Sequence, residues 1–177
     1  MKLLISGMPG SGKTTLCERV IEELEGMLKI GGFISSEIRE GGIRKGFKIR
    51  DVRTGKWGTL AHIDQMTGPR LGKYRVNLND LNTIGVGAIL EALEDCDLII
   101  IDEIGPMELF SDEFEKVIKD TFDSKKHVIA TIHFRSRDRL IRRFGMGDIP
   151  FLMIDEGNRE SLVKDIVGKL KEEWGGS

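Results

Sequence analysis

Apolar residues follow two patterns along the chain, short continuous runs and stretches with helical spacing. Lys2–Ser6 is a short apolar run, and it precedes a segment in which Leu16, Val20 and Leu24 recur at helical spacing. This order predicts a strand, a glycine-rich loop and a helix. A second apolar run, Lys29–Ile38, is followed by a Gly-Gly pair and predicts the next strand.

The middle of the chain has a hairpin pattern followed by a less regular segment. Phe47–Val52 and Trp57–Leu60 flank a Thr54-Gly55 pair, in which the glycine can adopt the positive φ that a tight turn needs. We therefore expect an antiparallel hairpin beside the main sheet. Residues 61–79 are rich in glycine, proline and polar side chains, and they predict a loop with a short strand near Tyr74–Val76.

The second half of the chain alternates helical segments with apolar runs. The spacing from Leu81 indicates a helix, which Gly85 and Gly87 weaken by about 1 kcal/mol each relative to alanine. Ser111 and Asn158 are expected to cap later helices. Buried strands are predicted at Leu98–Ile101, Val128–Ile132 and Ile149–Ile154, a basic helical segment at Arg137–Arg143, and the inner face of the last helix at Leu162, Ile166, Leu170 and Trp174.

Helices that alternate with apolar strands predict the α/β class. We expect a mostly parallel central sheet with helices on both faces and a small β-hairpin appendage. The chain has 177 residues, 40% of them hydrophobic, which suits one core and is too short for two ordinary domains. Residues 1–177 are therefore expected to form a single domain.

Charge and cysteine content narrow the possible functions. The 27 basic residues nearly cancel the 29 acidic ones, so no bulk field favours nucleic acid or membrane. Cys17 and Cys96 lie far apart without the spacing of a metal knuckle or a redox motif, and we expect buried thiols in a reducing cytoplasm. The apolar run before Gly7 is too short for a signal peptide, and no run reaches membrane length. A soluble cytoplasmic protein is expected.

The segment after the first predicted strand matches a phosphate-binding loop. The pattern is a glycine, four variable residues and Gly-Lys-Ser/Thr, and its residues are Gly7, Met8, Pro9, Gly10, Ser11, Gly12, Lys13 and Thr14. Its glycines let successive N–H groups point at phosphates, and the helix that follows adds its positive dipole end. An ordinary glycine-rich turn is the alternative, which the flanking strand and helix disfavour.

Three residues at the end of this loop have specific expected roles. Lys13 is expected to bridge the β- and γ-phosphates of a nucleoside triphosphate as a catalytic residue. The Thr14 hydroxyl is expected to bind Mg²⁺, a hard ion that prefers oxygen ligands. Thr15 is placed to contact the α-phosphate.

Asp102 and Glu103 follow the buried run Leu98–Ile101. In a parallel sheet they emerge at the same edge as the phosphate loop. Asp102 is expected to hold Mg²⁺ through a water ligand, and Glu103 to orient or deprotonate the attacking water. The alternative is that both acids cap the turn at Gly105-Pro106.

Other polar residues are weaker candidates for the same site. The chain between Thr14 and Asp102 leaves room for an extra strand, in which case Thr131 and His133 could sense the γ-phosphate, although a lone histidine is more often structural. An arginine often stabilises charge on a transferred phosphoryl group, although each one taken singly is more typical of a solvated surface. The candidate arginines are Arg39, Arg44, Arg50, Arg135, Arg137 and Arg139.

Several of these motifs together resemble one known family. They are the residue 7–14 loop, Gly32-Phe33 with Glu37-Ile38-Arg39, and the string Asp102–Glu108, supported by Gly46-Phe47, Gly72-Lys73-Tyr74, Thr131-Ile132-His133 and Asn158-Arg159. In this combination the chain resembles the thermophilic, cancer-related nucleoside-triphosphatases. That resemblance implies a RecA-like or kinase-like fold and slow, Mg²⁺-dependent hydrolysis of ATP, GTP and other triphosphates to diphosphate and phosphate.

The resemblance also implies a wider nucleotide site. The strand-end residues expected to line it are Leu98, Ile99, Ile100, Ile101, Asp102, Glu103, Ile104 and Gly105. Apart from the resemblance, we infer from their position in the loop after the last predicted strand that Asn158 and Arg159 could meet the base or ribose. No Asn-Lys-x-Asp guanine-reading motif is present, so strict GTP specificity has no support.

Hydrolysis is the leading hypothesis, because Glu103 directly follows the expected metal-binding Asp102. A small-molecule or nucleoside kinase is the second hypothesis, since a domain of this layout also suits transfer to an acceptor. A non-enzymatic nucleotide switch that signals through the hairpin is the third. Nothing in the sequence indicates a protein partner.

Overall fold

The computed structural model describes residues 1–175, in which two helical layers cover one nine-stranded sheet. The strands are β1 (Lys2–Ser6), β2 (Ile30–Glu40), β3 (Ile43–Asp51), β4 (Trp57–His62), β5 (Arg70–Leu71), β6 (Tyr74–Val76), β7 (Leu98–Ile104), β8 (His127–Ile132) and β9 (Phe151–Met153). The helices are α1 (Lys13–Leu24), α2 (Leu78–Asp80), α3 (Gly87–Asp95), α4 (Asp112–Asp123), α5 (Arg137–Phe144) and α6 (Arg159–Gly175). A π-helical segment, Leu81–Val86, joins α2 to α3.

The strand order is β5-β6-β4-β3-β2-β7-β8-β1-β9. The strands from β2 to β9 in this order are parallel, whereas β3, β4, β6 and β5 continue the sheet in antiparallel pairs. The predicted α/β class, the parallel core and the hairpin are confirmed. The hairpin strands extend the main sheet directly, because β2 turns into β3 at Gly41-Gly42, where both glycines have positive φ.

Successive side chains of the parallel strands belong alternately to two separate core clusters, one on each face of the sheet. Leu3 and Ile5 of β1 pack with the apolar faces of α1 and α6, whereas Leu4 points to the opposite cluster with α3, α4 and α5. This two-sided burial explains why β7 reads as a continuous apolar run. Both cysteines are buried free thiols, as expected.

The helix after β6 begins earlier than the apolar spacing predicts. The Asn77 side chain accepts a hydrogen bond from the Asp80 N–H, so the helix starts at Leu78. Gly85, one of the two glycines that were expected to weaken this helix, has a packing role. A Cβ on Gly85 would lie 2.7 Å from Cδ1 of Ile49, so its absence lets the helix approach β3 closely.

Two of the expected helix details are wrong and one is confirmed. Ser111 caps α4, since its hydroxyl accepts a hydrogen bond from the Phe114 N–H at 3.0 Å. Asn158 lies at the start of α6, but its side chain binds the backbone of Asp155 and Met153. Trp174 is 40% exposed because α6 extends beyond the buried Leu170. Within residues 1–175, no helix has both the length and the apolar character needed to span a bilayer.

Candidate active site

The loop between β1 and α1 depends on its glycines for its shape. Gly10 and Gly12 have φ values of 81° and 96°, in the left-handed region that favours glycine. A Cβ on Gly7 would lie 2.5 Å from the Ile154 carbonyl oxygen. A side chain at Gly7 would therefore collide with Ile154, the residue directly after β9, and the spacing of the glycines follows from backbone geometry.

Lys13 folds back over this loop from the first turn of α1. Its ammonium group donates a hydrogen bond to the Gly7 carbonyl oxygen at 2.8 Å. The buried Ser11 hydroxyl has no hydrogen-bond partner within residues 1–175. The loop thus combines a cation, a free hydroxyl and the amino end of a helix, which together suit an anion of high charge.

Asp102, on β7, is hydrogen-bonded to one residue of α1 and one of β8. The Thr14 hydroxyl donates a hydrogen bond to one carboxylate oxygen at 2.6 Å, and the Thr131 hydroxyl donates to the other at 2.7 Å. Thr131 reaches Asp102 because β8 lies between β7 and β1. An extra strand therefore does separate the strands of the two motifs, but it comes from the chain after Asp102, whereas the strands formed between Thr14 and Asp102 lie on the other side of β7. Burial raises the pKa of Asp102, and the two hydroxyl hydrogen bonds oppose that rise.

Glu103 has a second, unexpected carboxylate as its neighbour. Glu108 lies on the 3-10 turn after β7 and is only 3% exposed. Its Oε2 is 3.0 Å, and Oε1 of Glu103 is 3.3 Å, from the position that a Cβ on Gly105 would occupy. Burial raises the pKa of Glu103 to about 7, with Asp102 adding to the effect. Burial likewise raises the pKa of Glu108 to about 8, with Glu103 as the second cause.

We expect Glu108→Gln to stabilise the fold increasingly as pH rises. The unfolded-state pKa of a glutamate is about 4.3, so between that pH and about 8 the folded chain retains a proton on Glu108 that the unfolded chain has lost. Stability therefore falls with rising pH, by up to about 1.4 kcal/mol per pH unit for this group. Glutamine does not titrate, so the variant lacks this loss of folding stability with rising pH. Urea unfolding of both proteins at pH 5 and pH 8 measures it, and an equal difference at both values would contradict the assignment.

A cavity of about 510 Å³ opens from the phosphate loop along the carboxyl edge of the sheet. Lys13, Thr14, Asp102 and Glu103 line one end of it. The antiparallel strands form the other end, with the lining residues Arg44, Phe47, Leu60 and Tyr74. Its volume falls in the range of small-molecule sites, and one wall carries the polar groups that converge on the loop.

Only two of the six candidate arginines line this cavity, Arg44 and Arg135. Arg44 is held in place by Glu37 at 3.1 Å and by the Tyr74 hydroxyl at 2.9 Å. Arg135 lies next to His133, which also lines the cavity and whose Nδ1 is buried without a hydrogen-bond partner in the described chain. Burial lowers the pKa of His133, and Lys13 and Arg135 add to the effect. Both His133 and Arg135 thus line the cavity, just after the end of β8.

The other candidate arginines are engaged elsewhere or stand outside the cavity. Arg39 and Arg50 form ion pairs with Glu37 and Glu18, at 2.7 and 4.0 Å, and Arg137 donates to the Phe134 carbonyl oxygen at 2.8 Å. Arg139 does not line the cavity.

Five of the strand residues expected to line the nucleotide site do not line this cavity. Leu98, Ile99, Ile100, Ile101 and Ile104 are fully buried and belong to the two core clusters. Asp102 and Glu103 are the members of this strand that line the cavity. The physical reason is that both faces of β7 are covered, so its apolar side chains are buried in the core and only residues near the end of the strand reach the cavity.

The remaining residues of the predicted site lie around the loop. Pro9 and Gly10 line the cavity, whereas the Met8 side chain is 59% exposed and Thr15 lies exposed on the first turn of α1. Gly105 is buried between Glu103, Glu108 and His133. Glu108 was missed by sequence reasoning. Its only signal was its place in the Asp102–Glu108 string, since nothing in its spacing reveals that the turn buries it.

Thr14 and Asp102 offer a small set of oxygen donors. No group of three or more His, Cys, Asp or Glu side chains is arranged for a metal ion in the described residues. Mg²⁺ usually takes one or two protein ligands and completes its shell with waters and substrate phosphates. The hydroxyl and carboxylate in hydrogen-bond contact beside the phosphate loop fit that ion.

Known proteins share both the sequence and the fold. A family model described as NTPase matches residues 2–167. The nucleoside-triphosphatase THEP1 of Methanosarcina acetivorans is 44% identical over 177 residues, covering 99% of each chain. The crystal structure of THEP1 from Aquifex aeolicus superposes with a TM-score of 0.85 at 29% identity, covering 97% of this chain and 99% of that one. The solution structure of a human cancer-related nucleoside triphosphatase gives 0.76 at 28% identity, with 97% of both chains covered.

Proposed function

The chain belongs to the THEP1 nucleoside-triphosphatase family, and we propose that it hydrolyses nucleoside 5′-triphosphates to diphosphate and phosphate in a Mg²⁺-dependent reaction. One observation carries the proposal. Lys13, Thr14, Asp102 and Glu103 line one end of a single cavity, with Thr14 and Asp102 in direct hydrogen-bond contact. A cation, a metal-binding pair and a general base beside one glycine loop are the parts that phosphoryl transfer to water requires.

Each of these residues has a separate task in the reaction. The backbone amides of residues 7–14 and the Lys13 ammonium group bind the β- and γ-phosphates and hold them in one orientation. Thr14 and Asp102 hold Mg²⁺, which when bound supplies charge that stabilises the phosphate oxygens. Glu103 accepts a hydrogen bond from the attacking water and takes its proton as the water oxygen bonds to the γ-phosphorus. The bond between the γ-phosphorus and the β–γ bridging oxygen breaks, and that oxygen leaves with the nucleoside diphosphate.

Base recognition in this proposal is broad. The chain lacks a guanine-reading Asn-Lys-x-Asp motif, and all the groups assigned so far bind phosphates, metal or water. We therefore include ATP, GTP and other ribonucleoside triphosphates among the substrates.

Phosphate release from ATP, GTP, CTP and UTP, each with Mg²⁺ or with excess EDTA, tests the proposal. We expect release from all four triphosphates with Mg²⁺, with rates within roughly tenfold of one another, because discrimination requires paired polar groups on the base. EDTA should reduce each rate to background. Equal rates with and without EDTA would remove Mg²⁺ from the reaction, and release from GTP alone would contradict broad recognition.

A kinase remains the second candidate, and the far end of the cavity favours it. The far end of the cavity is lined by Phe47, Leu60 and Tyr74, and it provides more space than a single attacking water requires. The cavity can therefore admit an acceptor molecule next to Glu103. The same assay with γ-labelled ATP and a set of nucleosides and sugars separates the two functions. Labelled acceptor supports the kinase, whereas free labelled phosphate at an unchanged rate supports hydrolysis.

A further inference from the structure

The far end of the cavity contains an arginine that the proposed hydrolysis does not use. The guanidinium carbon of Arg44 lies 5.1 Å from the centroid of the Phe47 ring and 5.8 Å from that of Tyr74. Its Nε donates to the Tyr74 hydroxyl at 2.9 Å, and its Nη1 donates to Glu37 at 3.1 Å. These contacts fix the plane of the group. Its Nη2 donates no hydrogen bond within residues 1–175, so this nitrogen is available to a ligand.

The wall that carries Arg44 stands apart from the metal-binding pair. Ile34 of β2 pairs with Asp102 of β7. Phe47 of β3 pairs with Glu37, which is three residues further along β2. Three residues of a strand span about 10 Å, so this wall stands about 10 Å beyond the metal-binding aspartate. The proposed function, on which this inference rests for the place of the γ-phosphate, leaves the wall without a role.

Positive charge is in excess on the antiparallel side of the cavity. Glu37 is shared by two cations, since Arg39 contacts it at 2.7 Å and Arg44 at 3.1 Å. The segment that includes β5 and β6, residues 65–77, has no acidic residue, and its cations are Arg70, Lys73 and Arg75. The other acidic residues that line the cavity are on β7 or just after it, and they are Asp102, Glu103 and Glu108. The far end therefore suits an oxyanion.

The same end offers an apolar surface beside the arginine. Phe47 is half-buried, and its ring packs edge to face with that of Tyr74, with the two centroids 5.4 Å apart. Leu60 and Leu71 complete this part of the lining. A ligand that presents an oxyanion to Arg44 thus finds apolar contacts for the rest of its body.

We propose that this end of the cavity binds a second small molecule beside the triphosphate, a carboxylate or phosphate ester with an apolar body. Its oxyanion binds the guanidinium group of Arg44, and its body packs on Phe47 and Leu60. The second ligand shares the cavity with the terminal phosphate and Glu103. Charge and apolar contact together select it.

Four probes test the two parts of this site in protein saturated with Mg²⁺ and the non-hydrolysable analogue AMP-PNP, which fills the phosphate loop. Phenyl phosphate and benzoate have both an oxyanion and a ring. Benzyl alcohol has the ring alone, and methyl phosphate has the oxyanion alone. NMR titration should give a lower Kd for phenyl phosphate or benzoate than for either incomplete probe, and the tighter of these two identifies the anionic group.

Arg44→Ala should raise the Kd of the tighter probe about tenfold, the effect of losing a hydrogen bond to a charged group, and should leave that of benzyl alcohol unchanged. Arg44→Gln, which keeps a polar side chain, is the second variant and should show the same loss. Arg39→Ala is the matched control, because Arg39 also pairs with Glu37 but does not line the cavity. It should leave every Kd unchanged, and circular dichroism spectra verify the fold of each variant.

An unchanged Kd of the tighter probe in both Arg44 variants overturns the proposal. Equal affinity for benzyl alcohol in the parent protein does so too, as does displacement of the probe by AMP-PNP. If Arg44→Ala weakens AMP-PNP as much as the probe, the arginine serves the triphosphate and the second site is lost. A parent protein that releases phosphate from ATP but binds none of the four probes lacks the second site and keeps the proposed hydrolysis. Probe binding without phosphate release has the opposite meaning.

Discussion

Glu103→Gln is expected to lower kcat for ATP hydrolysis by roughly 10²- to 10⁴-fold, the range for loss of a general base. Glutamine keeps the size of the side chain and removes its ability to take a proton. The positions of Thr14, Asp102 and the phosphate loop should be unchanged, since the hydrogen bonds that hold the Asp102 carboxylate come from Thr14 and Thr131 and not from Glu103. The Kd for Mg²⁺-ATP should therefore remain within about twofold, because the loop and metal contacts that provide affinity are retained.

Single-turnover hydrolysis and equilibrium binding on the same preparations separate these two effects. Glu91→Gln is the matched control, because Glu91 is exposed on α3 and lies outside the cavity. It should match the parent protein in both measurements. Hydrolysis by Glu103→Gln at the parental rate would mean that another group accepts the proton, with Glu108 the nearest alternative.

Lys13→Ala is expected to weaken nucleotide binding as well as to slow turnover. The ammonium group is the cation at the centre of the loop, donating to the Gly7 carbonyl oxygen at 2.8 Å. Its removal leaves the β- and γ-phosphates to the backbone amides and to the Mg²⁺ that Thr14 and Asp102 would hold. Loss of one such preorganised charge lowers kcat/KM by roughly 10³-fold.

Lys116→Ala provides the comparison for general charge effects, since Lys116 is exposed on α4 and pairs with Asp120 at 2.9 Å. Phosphate release and nucleotide binding should be unchanged in that variant. A Lys13→Ala protein that cleaves triphosphates as well as its parent would remove the loop from the reaction and with it the proposed function.

The sequence predicted the parts of the fold that depend on neighbouring residues. Apolar runs located β1, β7 and β8 because strands buried on both faces need uninterrupted apolar side chains. The joining of the hairpin to the main sheet was not predicted. Gly41 and Gly42 indicate a turn equally well at the end of a strand or between two paired strands, and only long-range pairing decides between them.

The same limit applies to the site. The loop and the acidic pair were recognised because their chemistry requires residues adjacent in sequence. Glu108 was not, since a charged residue is normally exposed and its burial depends on the turn that folds it against Gly105. The choice among arginines also needed the fold, because Arg44 and Arg135 reach one cavity from segments about half a chain apart.

The division of the sheet into a parallel half and an antiparallel half has an evolutionary consequence. The groups proposed to handle phosphate and metal all follow parallel strands, while the far wall of the cavity stands on antiparallel strands joined by short turns. Substitution or insertion in those turns alters the wall without moving the strands that hold Thr14 and Asp102. Natural variation can therefore change what shares the cavity with the terminal phosphate while the reaction chemistry is inherited intact.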